Sequence, residues 1–358
     1  MLTILDKYII RKFLGTYVFS IVLIISIAVV FDINEQLDKF LKNDAPLSSI
    51  IFSYYMNFIP YYVNLFSPLF VFISVIFFTS KLADNSEIIS MLASGMSFKR
   101  LMKPYMLSAA IIALVSFLLT GFIIPPANVV RIKFQNKYIK NKAVTYAERI
   151  QIQTEPGVIA FFNRYDDRDK MGFNFSLDKF DGKELVSRMT ARRIEYDTAY
   201  HWIVYDYSIR EFEGMKEHIS SGTRIDTTLT IVPSDFLIAS NDFEQMTTPQ
   251  LYKHIARQKD RGIGNIQSFE IEYHKRFASI ASAFILTLIG AALSSRKVKG
   301  GMGLNIGIGL LLSVSYILFL TVSSTFAVSG LVSPFIAAWI PNIIFMAIAA
   351  FLYRRAPN

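Results

Sequence analysis

Apolar stretches without charge recur along the chain, each long enough for a helix to cross a bilayer, which takes ~20 residues. They run from Phe13 to Phe31, Tyr54 to Ser80, Tyr105 to Val130 and Phe277 to Ser295. A fifth stretch, Gly300 to Tyr353, contains no Asp, Glu, Lys or Arg. It is long enough for two spans, with a turn around Val328-Ser329-Gly330 and with Ser333-Pro334 opening the last helix. The pattern predicts six transmembrane helices in a 3+3 arrangement.

Between the third and fourth spans the pattern changes to polar and mixed in charge, over a length too great for a connecting loop. Phe173, Phe175 and Leu177 alternate, Asp181-Gly182 supplies a hairpin turn, and a second strand follows through Leu185 to Met189. Trp202, Val204 and the run Tyr205 to Ile209 lead through Phe212 to a Glu213-Gly214 turn, and Thr223 to Ile231 reads as another strand. Strands at this spacing predict a sandwich or an open barrel-like sheet, either a plain spacer or a working domain. From Thr247 the period becomes helical through Leu251, Tyr252, Ile255 and Ala256, with Pro249 in the first turn and Arg261-Gly262 at the end. Ser268 to Arg276 should run on into the fourth span. The expected organisation is 1–130 for spans one to three, 131–246 for an all-β domain, 247–276 for a helical connector and 277–358 for spans four to six.

On the other side, between spans two and three, a helix is expected at about 85–95. Asp84 and Glu87 have capping-box spacing, Ile88, Ile89, Met91 and Leu92 form an apolar stripe, and Gly95 stands where a left-handed C-cap belongs.

Composition agrees with lipid as the solvent, since 53% of the residues are hydrophobic. Charge sets the orientation. With the N-terminus inside, the cytoplasmic segments carry Lys7, Arg11, Lys12, Lys81, Lys99, Arg100, Lys103, Arg296, Lys297, Lys299, Arg354 and Arg355 against Asp6, Asp84 and Glu87. That excess equals the net charge of +9 for the whole chain, so no basic patch is left over for nucleic acid. The first apolar run has no small-residue cleavage site after it and reads as a retained helix. No cysteine is present, which excludes disulfides, thiolate metal sites and a cysteine nucleophile.

The remaining candidate chemistry is sparse. No Gly-Lys-Ser/Thr follows the glycines Gly300, Gly301, Gly303, Gly307 and Gly309, so ATP binding by a phosphate-cradling loop is not expected. Gly303 and Gly307 form a small-xxx-small pair, either a helix contact or ordinary tolerance of glycine. The four histidines have no zinc-motif spacing. Asp167, Asp169, Gly172 and Asp178 match calcium-hand positions in part, but Met171 fills a ligand position, so a solvated turn is expected. No cofactor, metal or catalytic residue is expected. Glu87 either stabilises a helix N-terminus, worth ~0.3 to 1 kcal/mol, or presents an anion to a cytoplasmic partner. The basic residues Lys39, Lys42, Arg131, Lys133, Lys137, Lys275 and Arg276 flank the outer ends of spans, where they meet either lipid phosphate or ordinary headgroups.

Three segments carry a resemblance: Leu5-Asp6-Lys7-Tyr8-Ile9, the stretch Asn85 to Ser97, and the region from Leu251 through Arg261-Gly262 to Tyr273-His274-Lys275. With these, nearly the whole chain resembles the lipopolysaccharide-export permeases of the LptF/LptG type. The resemblance implies a jelly-roll-like periplasmic insert and a permease half that pairs with a homologous paralogue on a dimer of a separate ABC ATPase. It implies a cavity opening laterally through the first and fifth spans, and lipopolysaccharide passing to a periplasmic bridge protein. Glu87, Gly95 and Arg100 would then lie at the ATPase-coupling helix. The G-type commonly has a lysine near the outer end of the first span, whereas here Asp32 stands and Lys39 is the nearest base, which leaves F-type and G-type both open. The competing reading is a membrane-anchored relay whose β domain meets partners and which carries no lipid. An ion-coupled carrier is disfavoured by the uncharged spans.

Overall fold

A computed structural model describes residues 3–140, 146–214, 216–235, 242–260, 266–295 and 301–356. The chain divides into a helical unit, Met1–Lys140, Glu244–Leu251 and Gln267–Asn358, and a second unit, Asn141–Phe243 and Tyr252–Ile266.

Among the described residues, six helices of the first unit are long and apolar enough to span a membrane: Ile4–Lys42, Ser67–Asp84, Phe98–Ile139, Gln267–Ser294, Gly303–Val328 and Pro334–Arg354. The first, α1 (Ile4–Lys42), opens with a capping box in which Thr3 and Asp6 satisfy each other's backbone N–H groups. A single turn, α2 (Leu47–Ser49), and a π-helical turn lead into α3 (Met56–Leu65). The expected second span, Tyr54 to Ser80, is therefore not one helix. It breaks at Phe66, and α4 (Ser67–Asp84) starts anew with Pro68 in its first turn, where a missing N–H costs nothing. The short α5 (Glu87–Ala93) follows. The third span combines α6 (Phe98–Leu118), a π-helical turn and α7 (Ile124–Gln135), and so continues beyond Val130.

Past the sheet, at the start of α8 (Thr248–Asp260), the Gln250 Oε1 reaches back and accepts from both the N–H and the hydroxyl of Thr247. Its expected end at Arg261-Gly262 lies outside the described residues, as do Arg296, Lys297 and Lys299. The helix α9 (Gln267–Ser294) joins the second expected periplasmic helix to the fourth span without a break. Then α10 (Gly301–Val328) ends in a Schellman turn: Gly330, at φ +79°, donates to Ala327 O, and Leu331 donates to Phe326 O. Ser333 and Pro334 open α11 (Pro334–Arg354).

The α4 and α9 helices form the centre of the bundle, and Phe72, Val75 and Ile76 pack with Leu286 and Ile289 in one buried cluster. Phe13, Phe78 and Tyr105 stack in series at 5.4 and 5.2 Å. In lipid such burial gains little from the hydrophobic effect, so close packing and interhelical hydrogen bonds matter more, at roughly 1 kcal/mol per bond. Asn342 accepts from Tyr316 at 3.0 Å and donates to Ala278 O at 2.8 Å, tying three helices together.

Among the described residues the second unit holds six antiparallel strands in chain order: β1 (Tyr146–Glu155), β2 (Val158–Asp166), β3 (Met171–Asp181), β4 (Glu184–Thr198), β5 (His201–Glu213) and β6 (Lys216–Thr228). The jelly-roll-like insert thus takes the form of a meander with tight hairpins at Gly157, Gly182 and Gly214, all with positive φ. A crease crosses every strand. On β2, Phe162 and Tyr165 are buried with exposed Asn163 and Arg164 between them, and β4 repeats this with Ala191, Arg192, Arg193 and Ile194. Arg149, Asn163, Asn174, Arg192, Asp206 and Thr223 all drop out of the ladder in one line. Arg149, Asn174 and Asp206, on alternate strands, have φ of 53°, 49° and 52°. Each of these residues stands opposite another unpaired one, so the pairing register is kept while the period of two is interrupted on every strand. This corrects the expected alternation on β3: Phe175 and Leu177 face inward, but across the crease Gly172, not Phe173, is the buried residue. The core is built from Ile152, Phe162, Phe175, Ile194, Trp202 and Val204, and the Trp202 indole donates to Ile231 O at 3.1 Å.

Candidate functional site

The first helix is held at both ends by side chains from elsewhere in the helical unit. At its start, Asp6 is almost fully buried and accepts both Arg100 terminal nitrogens at 2.7 and 2.8 Å, while Thr3 accepts a further bond from Arg100 at 3.4 Å. Two residues on, the Tyr8 hydroxyl donates to Glu87 at 3.1 Å, and Asn85 donates to the other Glu87 oxygen at 3.2 Å. So α1 is tied to the first turn of α5 and, through Arg100, to the first turn of α6.

The local structure of α5 differs from the expected one. Asp84 belongs to α4, and the N-cap is Ser86 in the left-handed region with no side-chain cap, so the Asp84/Glu87 capping box is absent. Glu87 still occupies the first turn, beside the N–H groups that have no partner inside the helix. At the other end Gly95, at φ +90°, donates to Leu92 O, and Met96 donates to Met91 O, which together make a Schellman stop.

Where α1 ends, Tyr54 and Tyr55 donate to the two Asp32 oxygens at 3.2 and 3.0 Å. Lys39 donates to Gln36 at 2.9 Å, and Asn43 donates to Tyr138 O at 2.8 Å. Lys39, Lys42 and Lys133 are exposed. Arg131 is 5% exposed. Its guanidinium donates to Asn128 at 3.1 Å, faces Glu244 at 3.6 Å and lies over the Tyr61 ring at 4.2 Å. Beside it a cavity of about 130 Å³ is lined by Tyr61, Asn64, Thr120, Glu244, Glu272 and Arg276. Arg131 is thus held inside the helical unit, whereas Lys39, Lys42 and Lys133 stand at its surface.

Between these ends the first span leaves its apolar surface open. Only 11% of its most apolar window is buried within the chain, and 17% for the fifth span, against 67% and 61% for the second and fourth. Gly303 and Gly307 lie on the open face of α10, and a Cβ at either would meet nothing within 4 Å. The close approach inside this chain is made by Gly309, whose Cβ would collide with Ile76 and come within 3.1 Å of Phe72.

Six spans, a six-stranded sheet inserted after the third and a short capped helix after the second set the context for the sequence comparison. The profile of the lipopolysaccharide export system permease LptF/LptG matches residues 7–355. The chain belongs to the LptF/LptG family. No curated protein matches it in sequence. As an LptF/LptG permease it is a multi-pass inner-membrane protein and a permease subunit for lipopolysaccharide export, and it is not itself an enzyme.

Several residues of this permease escape a reading of spacing alone. Asp6 and Tyr8 count only as charge and aromatic in a basic N-terminal segment, yet they anchor Arg100 and Glu87 from 94 and 79 residues away. Glu244 is equally silent in the sequence, although Tyr61 donates to it at 3.3 Å and Asn128 donates to its carbonyl at 3.1 Å.

Proposed function

We propose that this permease pairs with a homologous paralogue on a dimer of a separate cytoplasmic ABC ATPase. The pair extracts lipopolysaccharide from the inner membrane between the first and fifth spans and passes it to a periplasmic bridge protein. The observation that carries this reading is the exposure of those two helices, α1 and α10, beside two well-buried ones. Apolar helix surface in a bilayer is matched equally by lipid tails or by another helix, so this face suits a seam that opens to lipid and closes on a partner. The exposed glycines Gly303 and Gly307 favour close approach of the paralogue's helix at that seam.

The N- and C-termini, with α5, lie on the cytoplasmic side in this reading, following the Lys/Arg bias. Glu87 presents its carboxylate to the ATPase from the first turn of α5, and Gly95 sets the exit of that helix. Arg100 acts through Asp6 and is a positioning residue. Displacement of α5 by the ATPase reaches α1 directly through Tyr8–Glu87, and by way of α6, which follows α5 in the chain, through Asp6–Arg100, both at the N-terminal end of α1. At the opposite end Lys39, Lys42 and Lys133 meet lipid phosphate through charge-assisted bonds, with Arg131 holding the local framework.

Purification of the tagged chain from its native host in mild detergent should bring a cytoplasmic ATPase, a second six-span relative and bound glycolipid. A lone chain, or a purely periplasmic partner, overturns the reading in favour of a relay. In the purified complex, Glu87→Ala should keep assembly but lower lipid-stimulated ATP hydrolysis, and Tyr8→Phe should lower it less. Unchanged turnover in Glu87→Ala removes Glu87 from the coupling role.

A further inference from the structure

The second span breaks near the middle of its charge-free run, Tyr54 to Ser80. Phe66 has φ −93° and ψ 2°, outside the helical region. Pro68 has no N–H to give to Asn64 O, and in a continuous helix its ring would crowd that carbonyl. The third span is irregular beside it, where the π-helical turn Leu119–Ile123 carries Gly121 and is followed by Pro125 and Pro126. Interrupted helices persist at this depth of a bilayer where protein buries them or where they line water.

Polar cavities flank the break. The cavity of about 130 Å³ beside Arg131 has Asn64, Leu65 and Thr120 in its lining, and a second of about 40 Å³ is lined by Asn64, Ser67, Ser116, Ser279 and Ser282. Asn64 belongs to both, and its Oδ1 accepts from Ser116 at 2.6 Å. A water needs on the order of 10–15 Å³ and a few polar partners, so both cavities suit water.

The cavities also separate two apolar clusters. On one side, Val71 on α4 and Ile112 on α6 belong to the large cluster at the centre of the bundle. On the other, Phe58 on α3 and Phe134 on α7 join Tyr54, Tyr55 and Phe40, the last from the end of α1. The Phe40 ring meets those of Tyr54 and Phe134 at 5.8 and 5.9 Å, and Asp32 on α1 accepts from both tyrosine hydroxyls. The outer end of α1 is therefore fastened to α3 and α7, whereas its start is clasped by Arg100 on α6.

We propose that α3 and α7 turn as one piece about a water-filled hinge at Phe66 and Leu119–Ile123, carrying the outer end of α1 with them. Hinges of this kind confine the backbone change to a few residues between rigid pieces. Opening exchanges the Asn64–Ser116 bond for bonds to cavity water, which are nearly as favourable. A static kink accounts for Pro68, but it gives no reason for hydroxyl groups facing the break from α4, α6 and α9. The inference rests on the export reading in one respect: motion of α1 opens and closes the seam through which lipid passes.

The chain contains no cysteine, so cysteine variants of the full-length permease, purified in detergent with the partners it retains, report without interference. Ser116→Cys should react with a charged methanethiosulfonate at least ten-fold faster than Ser74→Cys, which is buried on α4 past the break. Spin labels at Met56→Cys on α3 and Phe77→Cys on α4 should show two separations, whose balance shifts with an ATP analogue. Labels at Leu311→Cys and Phe326→Cys, on the unbroken α10, should show one. Pro68→Ala restores an N–H for Asn64 O and should reduce the two separations to one. Bridging Asn64→Cys to Ser116→Cys with a short bis-methanethiosulfonate should do the same and lower glycolipid transfer several-fold, with recovery when a reductant opens the bridge. A reactive Ser116→Cys with a single separation means a static wet pocket, and two separations with an inert Ser116→Cys mean a dry kink; either overturns the proposal. Reactivity and separations are read without cargo. A chain that lacks a co-purifying ATPase yet shows both results keeps the hinge and loses the export reading, and a full complex with neither result does the reverse.

Discussion

Arg100 holds both carboxylate oxygens of Asp6 at 2.7 and 2.8 Å, while Asp6 also caps the first turn of α1 from a site only 1% exposed. Removing the guanidinium strands a buried carboxylate, whereas removing both partners leaves no orphan charge. Arg100 is a third exposed, so solvent screens part of the pair, and its loss acts mainly by leaving the Asp6 carboxylate without its partner. Arg100→Ala should lower the thermal midpoint in detergent, and Asp6→Ala with Arg100→Ala together should cost less than the two singles added. Strict additivity would mean that the pair is not coupled.

The glycines of α10 separate packing within this chain from contact with a partner. Gly309→Ala should destabilise the isolated chain by about 1–3 kcal/mol through overpacking against Ile76. Ile76→Val should recover part of that, because the clash falls on the far end of the side chain. Gly303→Ala and Gly307→Ala should leave the isolated chain unchanged. If these two face the paralogue, Gly307→Leu should weaken co-purification of the second permease and nothing else. Equal destabilisation by Gly303→Ala and Gly309→Ala would show that the open face is packed within the chain after all.

A pH dependence follows from His254 on α8. Partial burial, then the neighbouring Arg257, pushes this imidazole below its ordinary value of 6.5, while Asp235 opposes the shift. The unfolded chain therefore takes up this proton first as pH falls, and stability is lost from about 6.5 downward toward the folded value. Above about 6.5 both states are neutral and the group contributes no slope. Thermal midpoints at pH 7.5 and pH 5 should differ less in His254→Gln than in the parent, and an identical difference would remove His254 as a source.

What could be read from the sequence, and what could not, divides by the range of the interactions. The six spans are local, since absence of charge over ~20 residues is visible residue by residue, and the stops at Gly95 and Gly330 follow from glycine's access to positive φ. The break at Phe66 was less legible, because Pro68 sits inside an unbroken apolar run whose hydropathy does not change there. Strands β1 and β2 are the two shortest of the six, so the crease leaves little regular alternation on either side of it: their inward residues step by three, from Ala147 to Ile150 and from Phe162 to Tyr165, which spoils the period of two. The capping role expected of Asp84 and Glu87 failed because α4 runs on through Asp84. The clasp of Asp6 by Arg100 is a pairing across 94 residues and leaves no local trace.

The crease carries a conformational cost at Arg149. Arg149 is exposed in β1 at φ 53°, and neither its charge nor its size suits that conformation, which costs a side-chain-bearing residue of order 1–3 kcal/mol. Asparagine enters the left-handed region more readily, as it already does at Asn174 in the same line. Arg149→Asn should therefore stabilise the sheet by about 0.5–1 kcal/mol. Arg149→Val should destabilise it, since a β-branched residue at positive φ is the worst case. Thermal unfolding monitored on the buried Trp202 would measure both. A neutral pair of variants would mean that β1 relaxes freely, and that the line of unpaired residues is held by β2 to β6 without it.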